Sequence, residues 1–300
     1  MAGGSDGTGG MGGTLYLVAT PIGNLGDVTF RAVEVLRSVP LIAAEDTRIT
    51  RRLLARYEIP TRLVSYHARS GPAREAELVA HLRDGSDLAL VTDAGTPSVS
   101  DPGAELVAAW AAAGGRVEAI PGASAVLVAV AASGIAGPRW AFEGFLPRRG
   151  RDRLERLARL AGDERGAVIF EAPGRVRATL GDLLAACGPA RPAAICRELT
   201  KRHEQVVRGT FEELAAALDA GTIPARGEVA IVVGWWPGAG PSAAARTPTG
   251  AASVRDAEAA ALAEVEALVA GGLGRSDAVR RVAAATGLPR RRLYRVSPPR

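Results

Sequence analysis

Residues 88–103, LALVTDAGTPSVSDPG, contain the pattern that decides the fold. A short apolar run ends at Asp93 and is followed by a turn rich in glycine, proline and hydroxyl residues. A buried parallel strand has this pattern at its carboxyl end, the edge at which open α/β sheets bind ligands. The turn lacks the glycine-rich entry into a helix that a phosphate site needs. We therefore expect a polar ligand that is not held through phosphate groups.

Strand-like and helix-like segments alternate on both sides of this stretch. The apolar runs are LYLVA (15–19), LIAAE (41–45), RLVSY (62–66) and RVEAI (116–120), and helical periodicity covers 27–36, 73–84 and 103–113. Such alternation predicts a mostly parallel sheet wrapped by helices in an N-terminal α/β domain, residues 14–122.

Residues 123–234 predict a second, mixed α/β domain. Its strands are expected in WAFEGFL (140–146), AVIFEA (167–172), AAICREL (193–199) and EVAIVVG (228–234), and its helices at 124–132, 148–161, 176–186 and 211–220. Many Pro and Gly turns separate these segments, which is typical of a smaller domain packed on the first.

Three further segments flank the two domains. The Gly-rich residues 1–13 predict a disordered leader, and residues 235–252 predict a linker. Residues 253–300 predict a small helical unit that resembles a helix-turn-helix, with helices at 254–270, 276–285 and 289–295. A helical cap with a solvated basic face is an equally good interpretation of this unit.

Composition excludes several classes of protein. No apolar run reaches the roughly 20 residues that cross a bilayer, and no signal-peptide pattern is present, so we expect a cytoplasmic protein without membrane contact. The two cysteines lie in apolar surroundings and predict buried thiols. With three histidines and no Cys/His cluster, no metal site is expected. The net charge of +5 is by itself weak evidence for nucleic-acid binding.

The turn after the first strand, Thr20-Pro21-Ile22-Gly23-Asn24, excludes a common cofactor class. A dinucleotide-binding protein would carry G-x-G-x-x-G here, whereas Pro21 removes an amide donor and the required glycines are missing. S-adenosylmethionine has no phosphate, so a turn of this kind suits it better.

Seven motifs now occur in an order that resembles the RsmI family: LYLVATPIGNLGD, LIAAEDTR, LVTDAGTPSVSDPG, IPGASA, FEGFLPR, FEAPGR and RELTKRHE. Members of that family are 16S rRNA (cytidine-2′-O)-methyltransferases of the tetrapyrrole-methylase fold superfamily. The resemblance covers about residues 14–234, and the C-terminal helical unit is similar to one that many members carry. One departure is Gly174 in FEAPGR, where the family pattern has histidine.

The resemblance implies S-adenosylmethionine in a cleft between the two α/β domains. The residues it assigns to cofactor binding are Pro21, Ile22, Asp93, Ala94, Gly95, Thr96, Ser98, Ser124, Ala125, Phe170 and Glu171. Simpler interpretations stay open, since the glycines and prolines could be plain turn residues and Ser124 could simply cap a helix.

A ribose 2′-hydroxyl needs its proton removed or its oxygen well positioned before it attacks. The candidates for this catalytic role are Glu45, Asp46, Glu198 and Lys201, with Asp93, Glu171 and Glu204 as further possible bases, and no single base is chosen. The residues around Glu45 and Asp46 could instead form a surface ion pair. The charged residues 197–204 could instead be a solvated charge run.

The expected partners are 16S rRNA, within the 30S subunit or free, and a second copy of the chain in a homodimer. RNA contacts are expected from Arg48, Arg51, Arg52, Arg148, Arg149, Arg151, Lys201 and Arg202, because arginine binds phosphate bidentately and stacks on bases. Two alternatives remain: a methyltransferase for a small tetrapyrrole-type molecule, and a DNA-binding regulator without enzymatic activity.

Overall fold

The computed structural model describes residues 12–237, 254–270, 273–286 and 293. Its first unit is a five-stranded parallel sheet in the order β3-β2-β4-β1-β5. The elements in chain order are β1 (Thr14–Val18), α1 (Phe30–Ser38), β2 (Leu41–Ala44), α2 (Thr47–Arg56), β3 (Arg62–Ser65), α3 (Pro72–Arg83), β4 (Leu88–Val91), α4 (Ala104–Ala112) and β5 (Arg116–Ile120). Every residue of the central strand β4 is buried, which confirms the parallel α/β prediction.

The second unit is a five-stranded mixed sheet in the order β6-β7-β10-β8-β9, in which only β6 and β7 pair in parallel. Its elements are α5 (Ala125–Ser133), β6 (Trp140–Phe145), α6 (Arg151–Gly162), β7 (Gly166–Glu171), α7 (Val176–Cys187), β8 (Pro192–Arg197), β9 (Gln205–Thr210), α8 (Phe211–Asp219) and β10 (Val229–Val233). The mixed α/β prediction is confirmed.

Side chains that cap helix ends explain several element boundaries. The hydroxyl of Thr29 accepts a hydrogen bond from the Ala32 amide at the start of α1, and the carboxylate of Asp46 accepts one from Arg48 at the start of α2. Thr210 and Glu213 form a reciprocal capping box on α8. Such caps satisfy amides that have no partner within the helix.

The structure adds three details to the sequence-based expectations. The helix predicted from Asp27 begins at Phe30, because a short 3-10 turn (Leu25–Asp27), capped by the Asn24 side chain, precedes it. The strand β9 was not predicted. Gly13, which the sequence analysis places in the leader, is buried and donates a 2.7 Å hydrogen bond to the Leu82 carbonyl, and residues 1–11 of the predicted leader lie outside the described residues.

The C-terminal unit contains α9 (Val254–Ala270) and α10 (Arg275–Thr286), which pack around a core of Ala261, Val265, Ala278, Val279, Val282 and Leu293. The third helix predicted at 289–295 lies outside the described residues, apart from Leu293. Within the described ranges, no helix is both long and apolar enough to cross a bilayer.

Candidate functional site

A cavity of about 350 Å³ lies where the carboxyl end of the first sheet faces the second sheet. The first unit and α5 supply Ile22, Ala94, Gly95, Thr96, Val99, Ser100, Asp101, Ser124, Ala125 and Val126 to its wall. The second sheet supplies Phe145, Phe170, Glu171, Ala172, Pro173, Cys196, Leu199, Gly227, Glu228, Val229 and Ala230. The volume falls within the range of small-molecule sites.

The loops after β1 and β4 are held together by a pair of backbone hydrogen bonds. The Thr20 amide donates to the Gly95 carbonyl at 2.8 Å, and the Gly95 amide donates to the Thr20 carbonyl at 3.0 Å. Gly95 has φ +85°, a conformation that side chains strongly disfavour, so glycine is needed at this point of the turn. The pairing presents Ile22 and Gly95 side by side on the cavity wall.

The N-terminus of α5 provides the polar end of the wall. Ser124 stands at the N-cap position, but its side chain makes no capping hydrogen bond, so the simple interpretation of Ser124 as a capping residue is not what the structure shows. Its hydroxyl and the amides of the first turn therefore lie at the cavity without helical partners, which suits an anionic or polar group.

Most residues predicted to bind a cofactor line this cavity: Ile22, Ala94, Gly95, Thr96, Ser124, Ala125, Phe170 and Glu171. Pro21, Asp93 and Ser98 are not on the wall. Asp93 instead accepts a 2.9 Å hydrogen bond from the Asp46 amide, which ties the ends of β2 and β4 together. The buried Ser98 hydroxyl has no hydrogen-bond partner among the described residues.

Several wall residues were not singled out from the sequence. Asp101 belongs to the quoted turn after β4, and its position beside two serines was an available signal. Residues 227–230 reach the cavity as β10 enters the second sheet. Gly174, the departure from the family pattern, follows the wall residue Pro173 and would meet nothing within 4 Å if it carried a Cβ.

Glu171 is part of a buried network beneath the cavity. One carboxylate oxygen accepts hydrogen bonds from the Ala172 amide at 2.9 Å and lies 3.4 Å from the Arg175 guanidinium. The other accepts from the Thr179 hydroxyl at 2.5 Å, and Thr179 in turn accepts from Arg153 at 3.0 Å. Because both carboxylate oxygens have partners, the Glu171 side chain is held in one position at the base of the cavity, which we call the floor.

The acidic residues at the ends of β2 and β4 differ in environment. Burial raises the pKa of Glu45 and that of Asp93. Asp46 lies on the surface, where hydrogen bonds from Arg48 lower its pKa to about 2. A carboxylate with so low a pKa is a weak proton acceptor. Among the described residues, no group of three or more His, Cys, Asp and Glu side chains is arranged to hold a metal ion.

Glu198 and Lys201 lie at a contact between the two units. The Lys201 ammonium is 2.9 Å from Glu198 and 2.5 Å from Glu228, so two carboxylates neutralise its charge. Hydrogen bonds from the Glu228 amide and from Lys201 lower the pKa of Glu198. A Cβ on Gly23 would come within 2.5 Å of the Lys201 side chain. The catalytic and RNA roles predicted here stay predictions, and the geometry favours a structural one.

The predicted RNA-binding arginines lie on the surface. Arg51 and Arg52 are exposed on α2, Arg48 pairs with Asp46, and Arg202 follows Lys201. Arg148 and Arg149 are exposed in the loop between β6 and α6. This loop follows Phe145, which lines the cavity and is nevertheless 56% exposed. An exposed aromatic ring at the cavity is therefore followed within four residues by two exposed arginines, and we call this edge of the cavity its mouth.

Comparisons with known proteins connect this chain to methyltransferases. Residues 14–215 match the family Tetrapyrrole (Corrin/Porphyrin) Methylases. The chain is 47% identical over 285 residues to the Ribosomal RNA small subunit methyltransferase I of Synechocystis sp., covering 95% of this chain and 97% of that protein. It is 39% identical to the protein of the same name from Halalkalibacterium halodurans, covering 95% and 94%.

Solved structures share the fold. Cobalt precorrin-4 methyltransferase, CbiF, superposes with a TM-score of 0.57 at 20% identity over 74% of this chain and 95% of that one. Uroporphyrin-III C-methyltransferase from Thermus thermophilus, complexed with S-adenosyl homocysteine, gives 0.53 at 22% identity over 74% and 97%. At these identities the likeness shows the architecture of the two sheets.

Proposed function

The chain belongs to the tetrapyrrole (corrin/porphyrin) methylase family, among the ribosomal RNA small subunit methyltransferase I proteins, and from this we propose its reaction. We propose that it transfers a methyl group from S-adenosylmethionine to the ribose 2′-oxygen of a cytidine in 16S rRNA. The observation that carries the proposal is the cavity between the two sheets, because residues assigned to the methyl donor from separate motifs converge on it.

The described residues fit this donor. The wall is mostly apolar, with Phe170 and Leu199 on the side of the second sheet, as an adenosine group requires. The uncapped start of α5 and the Ser124 hydroxyl suit the methionine carboxylate. When bound, S-adenosylmethionine supplies an electrophilic methyl carbon on a sulfonium, and the chain supplies its orientation.

The mouth of the cavity suits an unstacked nucleotide. Single-stranded RNA is recognised by aromatic and guanidinium surfaces that stack on bases and bind phosphates. Phe145 with Arg148 and Arg149 offers both, and the exposed arginines of α2 extend the basic surface. We propose that these groups hold the RNA strand that presents the acceptor ribose.

The assembly and location of the protein belong to the same proposal. A ribosomal substrate implies action in the cytoplasm on 16S rRNA or the 30S subunit. A homodimer is supported by large apolar side chains on the surface, among them Phe30, which is 92% exposed, and Leu127. Sedimentation equilibrium of the full chain tests the dimer, and a monomer at micromolar concentration would contradict it.

The decisive test is transfer of labelled methyl from S-adenosylmethionine to 30S subunits and to free 16S rRNA, with mapping of the label. We expect label on the ribose of one cytidine. Label on a base, or on a tetrapyrrole-type molecule in preference to RNA, would contradict the proposal. So would sequence-specific duplex DNA binding without any methyl transfer.

A matched pair of variants tests the donor cavity in the same assay. Gly95→Trp places a large side chain at the wall and should abolish donor binding, measured by calorimetry. Gly181→Trp, on an exposed position of α7 with nothing within 4 Å, should bind the donor normally. Equal affinities would move the donor site elsewhere.

A further inference from the structure

Three acidic residues line the cavity, and two of them are already engaged. Both oxygens of Glu171 are bonded within the network below the floor. Glu228 pairs with Lys201 at 2.5 Å. Asp101 differs, because no cation pairs with it among the residues that the structure describes. It is therefore the carboxylate on the wall that no ion pair occupies.

The turn that presents Asp101 is held in a strained shape. Ser98 and Ser100 have φ values of +69° and +65°, which non-glycine residues rarely adopt. Gly103 closes the turn, and a Cβ there would lie 2.7 Å from the Leu90 side chain. Strain of this kind persists only where the surroundings impose it, and it is concentrated at functional sites.

The same turn touches the second sheet beside the mouth. A Cβ on Gly144, at the bulge of β6, would lie 3.1 Å from the Ser100 hydroxyl oxygen. Gly144 immediately precedes Phe145, the exposed ring at the mouth. Asp101, next to Ser100, therefore belongs to the turn that packs against β6 just before Phe145, and both Asp101 and Phe145 line the cavity.

The surroundings of Asp101 favour a protonatable carboxyl group. Burial raises its pKa to about 6, and the carboxylates of Glu45 at the end of β2 and Asp93 at the end of β4 act in the same direction, whereas a hydrogen bond with the Thr92 side chain acts against them. Glu171 and Glu228 are the other acidic groups on the wall. At pH 7 Asp101 is mostly ionised and is more basic than an ordinary aspartate, which suits proton abstraction.

We infer that Asp101 is the general base of the proposed methyl transfer, an inference that rests on the proposed function. Asp101 takes the proton from the ribose 2′-hydroxyl as the oxygen forms its bond to the methyl carbon. The carbon–sulfur bond of the donor breaks, and its electron pair stays on sulfur, which becomes a neutral thioether. The proton then passes from Asp101 to solvent.

Single-turnover methyl transfer to 30S subunits by Asp101→Asn and Asp101→Glu, between pH 5 and 8.5, tests the inference. We expect Asp101→Asn to lower the rate at least about 100-fold, since general bases contribute about 10²- to 10⁴-fold. The wild-type rate should rise about tenfold per pH unit below about 6 and level off above it, and Asp101→Asn should lose this rise. Asp101→Glu should recover part of the rate and keep a pH-dependent limb.

Two measurements do not depend on turnover. Calorimetry should show the same donor affinity for Asp101→Asn as for the wild type within about twofold. The melting temperature at pH 7 should be no lower than that of the wild type, because a carboxyl group whose pKa is raised by folding destabilises the fold when it is ionised. The carboxyl ¹³C shift of Asp101 should titrate near pH 6 in the protein alone. A midpoint at the ordinary value near 4, or a loss of donor binding in the variant, would overturn the inference.

The exposed Asp84, at the end of α3, gives a matched control, and Asp84→Asn should match the wild type throughout. If wild-type protein transfers no methyl group to RNA, the proposed function fails. If wild-type protein is active and Asp101→Asn is equally active with the same pH profile, the proposed function stands and only the role of Asp101 is wrong.

Discussion

Glu45, Asp46 and Asp93 stand at the ends of neighbouring strands, yet their carboxyl groups differ in burial and partners. Asp46 is held ionised by Arg48, whereas burial raises the pKa of Glu45 and Asp93. A buried carboxylate lacks the stabilisation of water, which is why the pKa of each buried group is raised. Asp101 on the cavity wall has a raised pKa for the same reason, and the charges of Glu45 and Asp93 raise it further.

Removing one neighbouring charge should move the titration of Asp101. Glu45→Gln deletes a negative charge that raises the pKa of Asp101, so the acid limb of the pH–rate profile should shift to lower pH. Asp101 is then ionised over a wider range, and the relative rate at pH 5.5 should increase. Glu77→Gln, on the exposed side of α3, should leave the midpoint in place. A shift to higher pH would contradict the assignment.

The network under Glu171 makes a stability prediction. Thr179 is completely buried and bonds both Glu171 and Arg153. Thr179→Val keeps the shape but removes the hydroxyl, so the free energy of unfolding should fall by about 1–3 kcal/mol, measured by urea denaturation. Thr179→Ser retains the hydroxyl and should preserve donor affinity where valine weakens it. Equal donor affinities would show that the network has no influence on the cavity.

At the scale of elements, the turn between α4 and β5 depends on a glycine beneath a tryptophan. A Cβ on Gly115 would lie 1.9 Å from the indole of the fully buried Trp110, whose ring nitrogen donates to the Arg116 carbonyl at 3.1 Å. Gly115→Ala should therefore destabilise the protein by about 1–3 kcal/mol through overpacking. Thermal unfolding of Gly115→Ala and of the wild type measures this loss of stability.

The matched control lies in α7. Gly181 is exposed within the helix, and a Cβ there meets nothing within 4 Å. Gly181→Ala should raise stability by up to about 1 kcal/mol, because alanine is the better helix former. A destabilising effect at Gly181, or none at Gly115, would mean that these contacts do not decide stability.

Predictability from sequence follows from how much of an element is buried. β4 and β10 are continuous apolar runs, and every residue of both is buried, so pattern alone located them. β9 has the sequence QVVRGT and lies half-buried at an edge of its sheet, where no clear alternation develops. The edge strand β9 could therefore be recognised only from its pairing with β8 in the structure.

One wall of the cavity could likewise be predicted from sequence, and the other could be predicted only in part. The family resemblance assigned residues after β1 and β4 to one pocket, and this agrees with the rule that turns following parallel strands meet at one edge of a sheet. The opposite wall comes from a mixed sheet, in which β10 runs antiparallel to both its neighbours. No rule of strand order predicts which residues of such a sheet reach a ligand, and residues 227–230 were missed for that reason.

At the scale of the molecule, specific contacts hold the elements around the cavity in place. The Lys201 side chain packs against Gly23, and Arg208 of β9 donates a 2.9 Å hydrogen bond to the Ser133 carbonyl at the end of α5. Since α5 also lines the cavity with its first residues, these contacts fix the polar end of the wall to the second sheet. The Lys201 contact joins the two units, and the Arg208 contact joins α5 to the sheet of its own unit.

The basic surface at the mouth predicts how RNA binding responds to salt. Each phosphate contact on a single strand releases about 0.7 counterion, so losing one contact should reduce the slope of log affinity against log salt by about 0.7. Arg148→Ala and Arg149→Ala should each show this reduction with unchanged donor affinity, whereas Arg83→Ala, on exposed α3, should not. Fluorescence titration of labelled RNA between 50 and about 200 mM salt measures the slope. Slopes equal to that of the wild type would place the RNA away from Phe145.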